Sequence, residues 1–239
     1  MQPKVLLLCL LTLPMCVMAQ PQKGRFDHEG SITLNDGTVK TGIIRVFGNA
    51  DQPWGYQSDI KFIPEATWAT LEKTKNKDWE KYGPKELKSY HLNDLDRTFV
   101  SKPFSDMSSV SLKMVARRYF MHQIAAGKLN LYFYYDAPPN VYVGTEEDYE
   151  KIKQENAINN YVLLEKTEDK LKNITDVDLL DYIGDCPSVV EKYQAGGYGP
   201  KPGDDGKKKG LGKFVARVID SNRMREYAEP LIRDYNACP

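Results

Sequence analysis

The chain has few of the residues that build metal or nucleophile sites: four cysteines and three histidines among 239 residues. The histidines, His28, His91 and His122, stand far apart, and no second histidine or cysteine follows any of them at the spacing of a zinc motif. The sequence also lacks a Gly-x-Ser-x-Gly elbow, a Walker loop and a Gly-x-Gly-x-x-Gly turn. We therefore expect no metal, no cofactor and no catalytic residue set, and we expect His122 to be a packed core histidine.

The chain also lacks an excess of charge of either sign, with 33 basic and 33 acidic residues. Proteins that bind nucleic acid or anionic membrane need a basic surface, because the attraction to phosphate supplies much of their affinity. The balanced composition argues against both partners. The N-terminal residues 25–46 would also suit a small Sm-like barrel, but the balanced charge argues against this nucleic-acid-binding fold too.

Long apolar runs are scarce, and the longest one lies at the N-terminus. Lys4 precedes the run 5–13, Pro14 ends it, and Val17-Met18-Ala19 has the residues of a signal-peptidase site. The run is too short for a transmembrane helix. We expect the protein to be exported, to reside in the periplasm or in association with the outer membrane, and to lose its signal peptide by cleavage after Ala19. A lipid anchor on Cys16 is less favoured, because the preceding residue is not small.

Cleavage would leave only two cysteines, Cys186 and Cys238. In an exported chain the simplest state of two such residues is one disulfide. A disulfide that closes the loop from Cys186 to Cys238 would stabilise the fold by about 4 kcal/mol in the chain-entropy model. Two free thiols or a redox pair are the alternatives, although the absence of a Cys-x-x-Cys motif argues against redox exchange.

A strong β-strand pattern covers residues 127–136, where Leu129, Leu131, Phe133 and Tyr135 alternate with polar and aromatic residues. We predict an interior strand of an antiparallel sheet. A hairpin over 25–46 turns at Asp36-Gly37, and further strands are predicted over 58–63, 84–92, 97–101, 141–143 and 161–165. The segment 65–82 has no firm period and is interpreted as an insertion or a short hairpin.

Helical patterns are fewer and lie mostly near the C-terminus. Leu112, Val115, Tyr119 and Ala126 recur at three or four residues, which favours a helix over 108–126, although 117–124 also alternates like a strand. Helices are further predicted over 145–154, 177–183, 186–193, 213–219 and 222–236, with Asp176 and Pro187 at two of the starts.

These patterns predict an α+β fold. Its parts are a signal peptide over 1–19, a domain over 20–170 with an antiparallel sheet or partly closed barrel, and a helical segment over 171–239 stapled by the disulfide.

Several short motifs together resemble a family of exported Bacteroidota proteins without assigned activity. The motifs are Gly-x-Ile-x-Leu-x-Asp-Gly at 30–37, Gly-Lys-Leu-x-Leu-Tyr-x-Tyr at 127–134, Asp185-Cys-Pro187 and Tyr235-Asn-x-Cys238. The resemblance covers nearly the whole mature chain. It implies export and a disulfide, and it supplies no catalytic residues.

Aromatic residues are the one compositional excess, with 15 Tyr and 3 Trp. Flat aromatic rings stack on sugars and anchor protein partners, so Trp54, Tyr56, Tyr132 and Tyr134 are candidate contacts. The competing interpretation is that the two strand tyrosines only cover the sheet beneath the C-terminal helices. We predict a non-enzymatic envelope protein that binds a partner protein or a glycan. The alternative is a hydrolase that uses paired carboxylates, for which the sequence offers acidic groups at 94–96, 146–148, 176–181 and 204–205.

Overall fold

The structure is a computed structural model that describes residues 21–49, 52–104, 117–135, 145–148, 160–166, 169–199 and 226–239. The predicted leader, strand 141–143 and helix 213–219 lie outside these ranges. Among the described residues, no helix is both long and apolar enough to span a membrane.

The described fold contains ten strands and, besides the helical residues 146–148 within the predicted helix 145–154, four helices that are named below. The strands are β1 Asp27–Leu34, β2 Val39–Arg45, β3 Ile60–Pro64, β4 Glu80–Tyr82, β5 Leu87–Leu92, β6 Arg97–Phe104, β7 Arg117–Ala125, β8 Leu129–Tyr135, β9 Asn160–Lys166 and β10 Lys172–Asn173. The helices are α1 Glu65–Trp68, α2 Leu179–Ile183, α3 Pro187–Gln194 and α4 over 226–237.

All ten strands belong to one antiparallel sheet, in the order β10-β9-β8-β7-β6-β5-β1-β2-β3-β4. The β1–β2 hairpin turns as predicted: Gly37 has a φ of 89°, and Asp36 accepts a hydrogen bond from the Thr38 N–H at 2.8 Å. The predicted strands at 84–92 and 97–101 correspond to β5 and β6, which pair with each other, and β8 has a neighbour on each side. The antiparallel part of the predicted fold is therefore confirmed.

The partly closed barrel, in contrast, is not supported. The sheet is open, and its end strands β10 and β4 each pair with one strand among the described residues. These two strands have only two and three residues, which is too short for a continuous ladder between them. The face that a barrel would enclose is instead covered by helices over β8 and β9.

The predicted helix over 108–126 is wrong where the structure describes it, because Arg117–Ala125 forms strand β7. Residues 108–116 lie outside the description. Strand β7 pairs with β6 along seven residues and with β8 on its other side. The apolar residues of this segment recur at three or four positions, which taken alone would suit a helix. Hydrogen bonding to strands on both sides stabilises the extended backbone instead.

One face of the sheet carries two apolar clusters side by side. The first cluster lies over β8 and β9. In it, the side chains of Leu129, Leu131, Phe133 and Tyr135 pack beneath α2, α3 and α4. Over β1, β2, β3, β5 and β6, the second cluster contains Ile32, Phe62, Tyr90 and Phe99, with the ring of Tyr56 stacked 5.2 Å from that of Phe99. We call this the helix face, and the other side of the sheet the outer face.

Residues of the two C-terminal motifs make three contacts that fix the C-terminal helices. Cys186 and Cys238 form the predicted disulfide, with 6.2 Å between their Cα atoms, so the alternative of two free thiols does not describe the structure. The Tyr235 hydroxyl donates to the carboxylate of Asp185 at 2.9 Å. The Asn236 side-chain amide forms two hydrogen bonds with the backbone of Leu129 on β8. The motif residues therefore join the end of the chain to the sheet.

The starts of α2 and α3 agree with the predicted starts to within two residues. Asp178 caps α2 by accepting from the Leu180 N–H at 3.0 Å, whereas the sequence pattern had indicated Asp176, which ends a short 3₁₀ turn. Pro187 lies in the first turn of α3 as predicted. The predicted insertion at 65–82 contains α1 and the edge strand β4.

Candidate functional site

A row of hydrogen-bonding side chains crosses six neighbouring strands on the outer face. Directly paired residues of an antiparallel sheet project from the same face, so the strand registers define the row. It consists of Thr41 on β2, Ser31 on β1, His91 on β5, Thr98 on β6, Gln123 on β7 and Tyr132 on β8. Neighbouring strands lie about 4.8 Å apart, so the row is about 24 Å long. We call it the polar row.

The two ends of the polar row are bounded by carboxylates. At one end the Thr41 hydroxyl donates to Glu65 at the start of α1, at 2.8 Å. At the other end the Tyr132 hydroxyl donates to Glu165 of β9 at 2.9 Å. Between them His91 Nδ1 lies 3.0 Å from the Thr98 hydroxyl, and 34% of the His91 side chain is exposed. The centre of the row therefore faces solvent with groups that can donate and accept.

A second row on the same face runs beside the first, with hydroxyl residues at its middle and apolar residues at both ends, of which Val39 is exposed and Met121 is buried. It contains Val39, Thr33, Ser89, Val100 and Met121, on β2, β1, β5, β6 and β7. None of the eleven residues in the two rows is Asp, Glu, Lys or Arg. Charged residues make up 28% of the chain, which would place about three among eleven positions. We call the two rows together the uncharged face.

A partly buried ion pair closes the β8–β9 end of the uncharged face. Lys102 Nζ lies 2.6 and 2.7 Å from the two carboxylate oxygens of Glu165, and it sits 5.1 Å from the centre of the Tyr132 ring. Burial, and then the negative charge of Glu165, raise the pKa of Tyr132. Tyr132 is thus a neutral hydrogen-bond donor to a carboxylate whose charge is balanced by lysine.

Aromatic rings adjoin this ion pair. The ring of Tyr134 lies 4.7 Å from that of Phe104, 5.1 Å from that of Tyr119 and 5.9 Å from that of Tyr161. Tyr134 is 6% exposed, while its three neighbours are half-buried. The accessible aromatic surface here consequently belongs to the surrounding rings.

The four aromatic residues proposed from the sequence separate into two pairs. Tyr132 and Tyr134 lie on the outer face, with Tyr132 in the polar row and 2% exposed. Both tyrosines are buried, whereas the C-terminal helices that the structure describes pack on the opposite face. Trp54 and Tyr56 belong to the segment that crosses the helix face, where Trp54 is half-buried and Tyr56 is 3% exposed.

The polar row could not be recognised in the sequence, because its members come from six strands and each is an ordinary sheet residue. A signal was present in the alternation of each strand, since Ser31 and Thr33 alternate with buried Ile32, and Ser89 and His91 with buried Tyr90. Those alternations identify the solvent side of each strand. The register that aligns the strands is not contained in them.

The remaining histidines and acidic groups have local structural roles. His122 packs as predicted, with its ring 5.1 Å from that of Phe99 and its Nδ1 2.9 Å from the Tyr135 hydroxyl, although it lies on a strand. His28 Nδ1 lies 2.8 Å from Asp94. In the part of the chain that the structure describes, no three His, Cys, Asp or Glu residues are grouped to hold a metal ion. Asp204 and Asp205 lie outside that part.

Comparison of the chain with protein-family models, with curated proteins and with solved structures finds no match. The function must consequently be inferred from the geometry of the chain itself.

Proposed function

We propose that this protein is a non-enzymatic, exported binding module of the cell envelope and that the uncharged face is its binding surface. The observation that carries the proposal is the pair of charge-free rows between Glu65 and the Lys102–Glu165 pair. Strand ladders on both sides fix the backbone under these side chains. A ligand would thus meet hydrogen-bonding groups whose positions are already set, which lowers the entropic cost of binding.

Distances on this face favour binding over hydrolysis by paired carboxylates. Glycosidases hold their two carboxyl groups about 5 to 10 Å apart. Glu65 and Glu165 are bonded to the first and last residues of the polar row, which stand about 24 Å apart at the usual strand spacing. Neither carboxylate can therefore assist the other at one scissile bond.

Export is supported by the leader pattern and by the disulfide. Disulfides persist mainly in oxidising compartments such as the periplasm, and Cys186 and Cys238 are joined. Sequencing the N-terminus of the protein purified from envelopes should give Gln20 as the first residue. An intact leader would overturn the assignment to the envelope.

The binding function is tested by crosslinking in intact cells. A photoreactive amino acid placed at His91 should give a discrete crosslinked product, whereas the same amino acid at Gln194, exposed on α3, should not. Equal yields at both positions, or no product at His91, would contradict a binding role for this face.

A further inference from the structure

We infer that the occupant of the uncharged face is a neutral, linear glycan that lies along the polar row, across the strands. This inference rests on the proposed binding function and specifies its ligand. It follows from the chemistry of the row, from its ends and from the exclusion of other polymers by charge.

The centre of the row matches the hydrogen-bonding character of sugars. The hydroxyls of Ser31 and Thr98 and the amide of Gln123 can each donate and accept, as sugar hydroxyls do. The His91 imidazole has one nitrogen 3.0 Å from the Thr98 hydroxyl and the other 4.0 Å from the Asp96 carboxylate. The side chains recur at the strand spacing of about 4.8 Å, a periodic arrangement that suits a polymer with a repeating unit.

The end of the face at β8 and β9 adds apolar surface. The half-buried rings of Phe104, Tyr119 and Tyr161 surround Tyr134 beside the last residue of the polar row. Aromatic faces bind the C–H side of a pyranose while hydroxyls are bound at its edge. This end therefore provides the stacking contact that the hydroxyl-rich centre lacks.

Charge excludes nucleic acids and acidic glycans. Binding of a polyanion depends on unpaired Lys or Arg side chains. The two rows contain none, the adjacent Lys102 is neutralised by Glu165 at 2.6 Å, and the exposed Arg117 lies outside the rows, opposite Phe104. An anionic chain laid along the row would approach Glu65 and Glu165 at its two ends without compensating cations in between.

The layout of the face also argues against a protein partner. Protein interfaces concentrate aromatic and Arg anchors at their centre, with polar groups at the rim. Here the order is reversed, with small hydroxyl residues at the centre and the aromatic rings at one end. Peptides that add to a sheet bind at its edge strands, whereas this row crosses the interior strands β1, β5, β6 and β7.

The test measures binding of defined hexasaccharides to the disulfide-bonded protein by titration calorimetry. The probes are cellohexaose, xylohexaose, mannohexaose and chitohexaose, with hexagalacturonate as the acidic counterpart. We expect at least one neutral hexasaccharide to bind and hexagalacturonate not to bind. Gln123→Leu should weaken that binding about tenfold, the factor for one lost hydrogen bond. Gln194→Leu, the matched change on α3, should leave it unchanged.

The outcomes separate this inference from the function on which it rests. A crosslink from His91 to a protein, with no neutral hexasaccharide bound, would overturn the glycan inference and keep the binding face. Tighter binding of hexagalacturonate than of any neutral probe would overturn it in the same way. Sugar binding that Gln123→Leu does not weaken would place the ligand elsewhere, and with no crosslink at His91 both proposals would fall.

Discussion

The side-chain amide of Gln57 forms two hydrogen bonds with the backbone of Tyr135, the last residue of β8. Gln57 Nε2 donates to the Tyr135 carbonyl at 2.5 Å, and Gln57 Oε1 accepts from the Tyr135 N–H at 2.6 Å. The backbone carbonyl of Gln57 also accepts from the Phe120 N–H of β7 at 3.2 Å. Gln57 is 4% exposed. Gln57 therefore bonds to β8 through its side-chain amide and to β7 through its backbone carbonyl.

The first residue of β8 has the same kind of partner. Asn236 of α4 donates from Nδ2 to the Leu129 carbonyl and accepts at Oδ1 from the Leu129 N–H, both at 2.9 Å. The ladder between β7 and β8 covers Leu131 to Phe133, so the two end residues of β8 lie beyond it. Two amides from distant parts of the chain therefore complete the hydrogen bonding of this strand.

Replacement of Gln57 tests the first of these contacts. Gln57→Leu should lower the free energy of unfolding by about 3 kcal/mol, because it removes two hydrogen bonds to the buried backbone of Tyr135. Urea denaturation measures the loss. Gln194→Leu, on the exposed end of α3, should change stability by less than about 0.5 kcal/mol. A Gln57→Leu protein as stable as the control would show that water or a shifted strand replaces the amide.

Replacement of Asn236 tests the contact at the other end of β8. Asn236→Ala should cost about 2 kcal/mol in the free energy of unfolding and should speed hydrogen exchange at the Leu129 amide. Gly127→Ala should have a similar effect, since a methyl group there would lie 2.6 Å from the Asn236 side chain. Asn76→Ala, at an exposed position before β4, is the control. Unchanged exchange at Leu129 in both variants would refute the contact.

The strands were predictable from the sequence where one face is apolar and the other polar. The alternation of Ile32 and Leu34 and the Asp36-Gly37 turn determine the β1–β2 hairpin by local chemistry alone. Strand β7 was not predictable in this way, because Phe120 and Met121 are consecutive and both fully buried. A strand buried on both faces loses its period of two, and only its neighbours reveal it.

Contacts that depend on register or on distant residues could not be predicted. The sequence shows Gln57 only as one polar residue in a loop, and its role depends on where β7 and β8 diverge. The disulfide was predictable because only two cysteines follow the predicted leader, so the pairing had a single solution. The polar row needed five separate registers, none of which is set by a local pattern.

Removal of the disulfide tests the attachment of the C-terminal helix. Cys186→Ser combined with Cys238→Ser should lower the free energy of unfolding by about 4 kcal/mol, because a loop that spans 52 positions would no longer be closed in the unfolded chain. Alkylation of the denatured, unreduced wild-type protein should label neither cysteine. Two labelled thiols, or a double variant of unchanged stability, would contradict the stapled fold.

Tyrosine ionisation provides a test in alkaline solution. Burial raises the pKa of Tyr90, burial and Glu165 raise that of Tyr132, and a hydrogen bond to Glu80 raises that of Tyr82 to about 12. A group whose pKa is higher in the folded state stabilises the fold fully below its unfolded pKa of about 10. That stabilisation is lost as pH rises from about 10 toward the folded value, because the unfolded chain releases its proton first. Stability should therefore fall above about pH 10.

Tyr132→Phe distinguishes this effect from the titration of other groups. Above about pH 10 the loss of stability per pH unit should be smaller in this variant by up to about 1.4 kcal/mol, since one late-ionising group is gone. Ultraviolet absorbance of the wild-type protein should show one class of tyrosines that ionises reversibly and a second class that ionises only on unfolding. Tyr90, stacked on Phe99 with its hydroxyl on the Tyr56 carbonyl, belongs to the second class. A single reversible step for all 15 tyrosines would mean that Tyr90 and Tyr132 are open to solvent, and the outer face as described here would then be wrong.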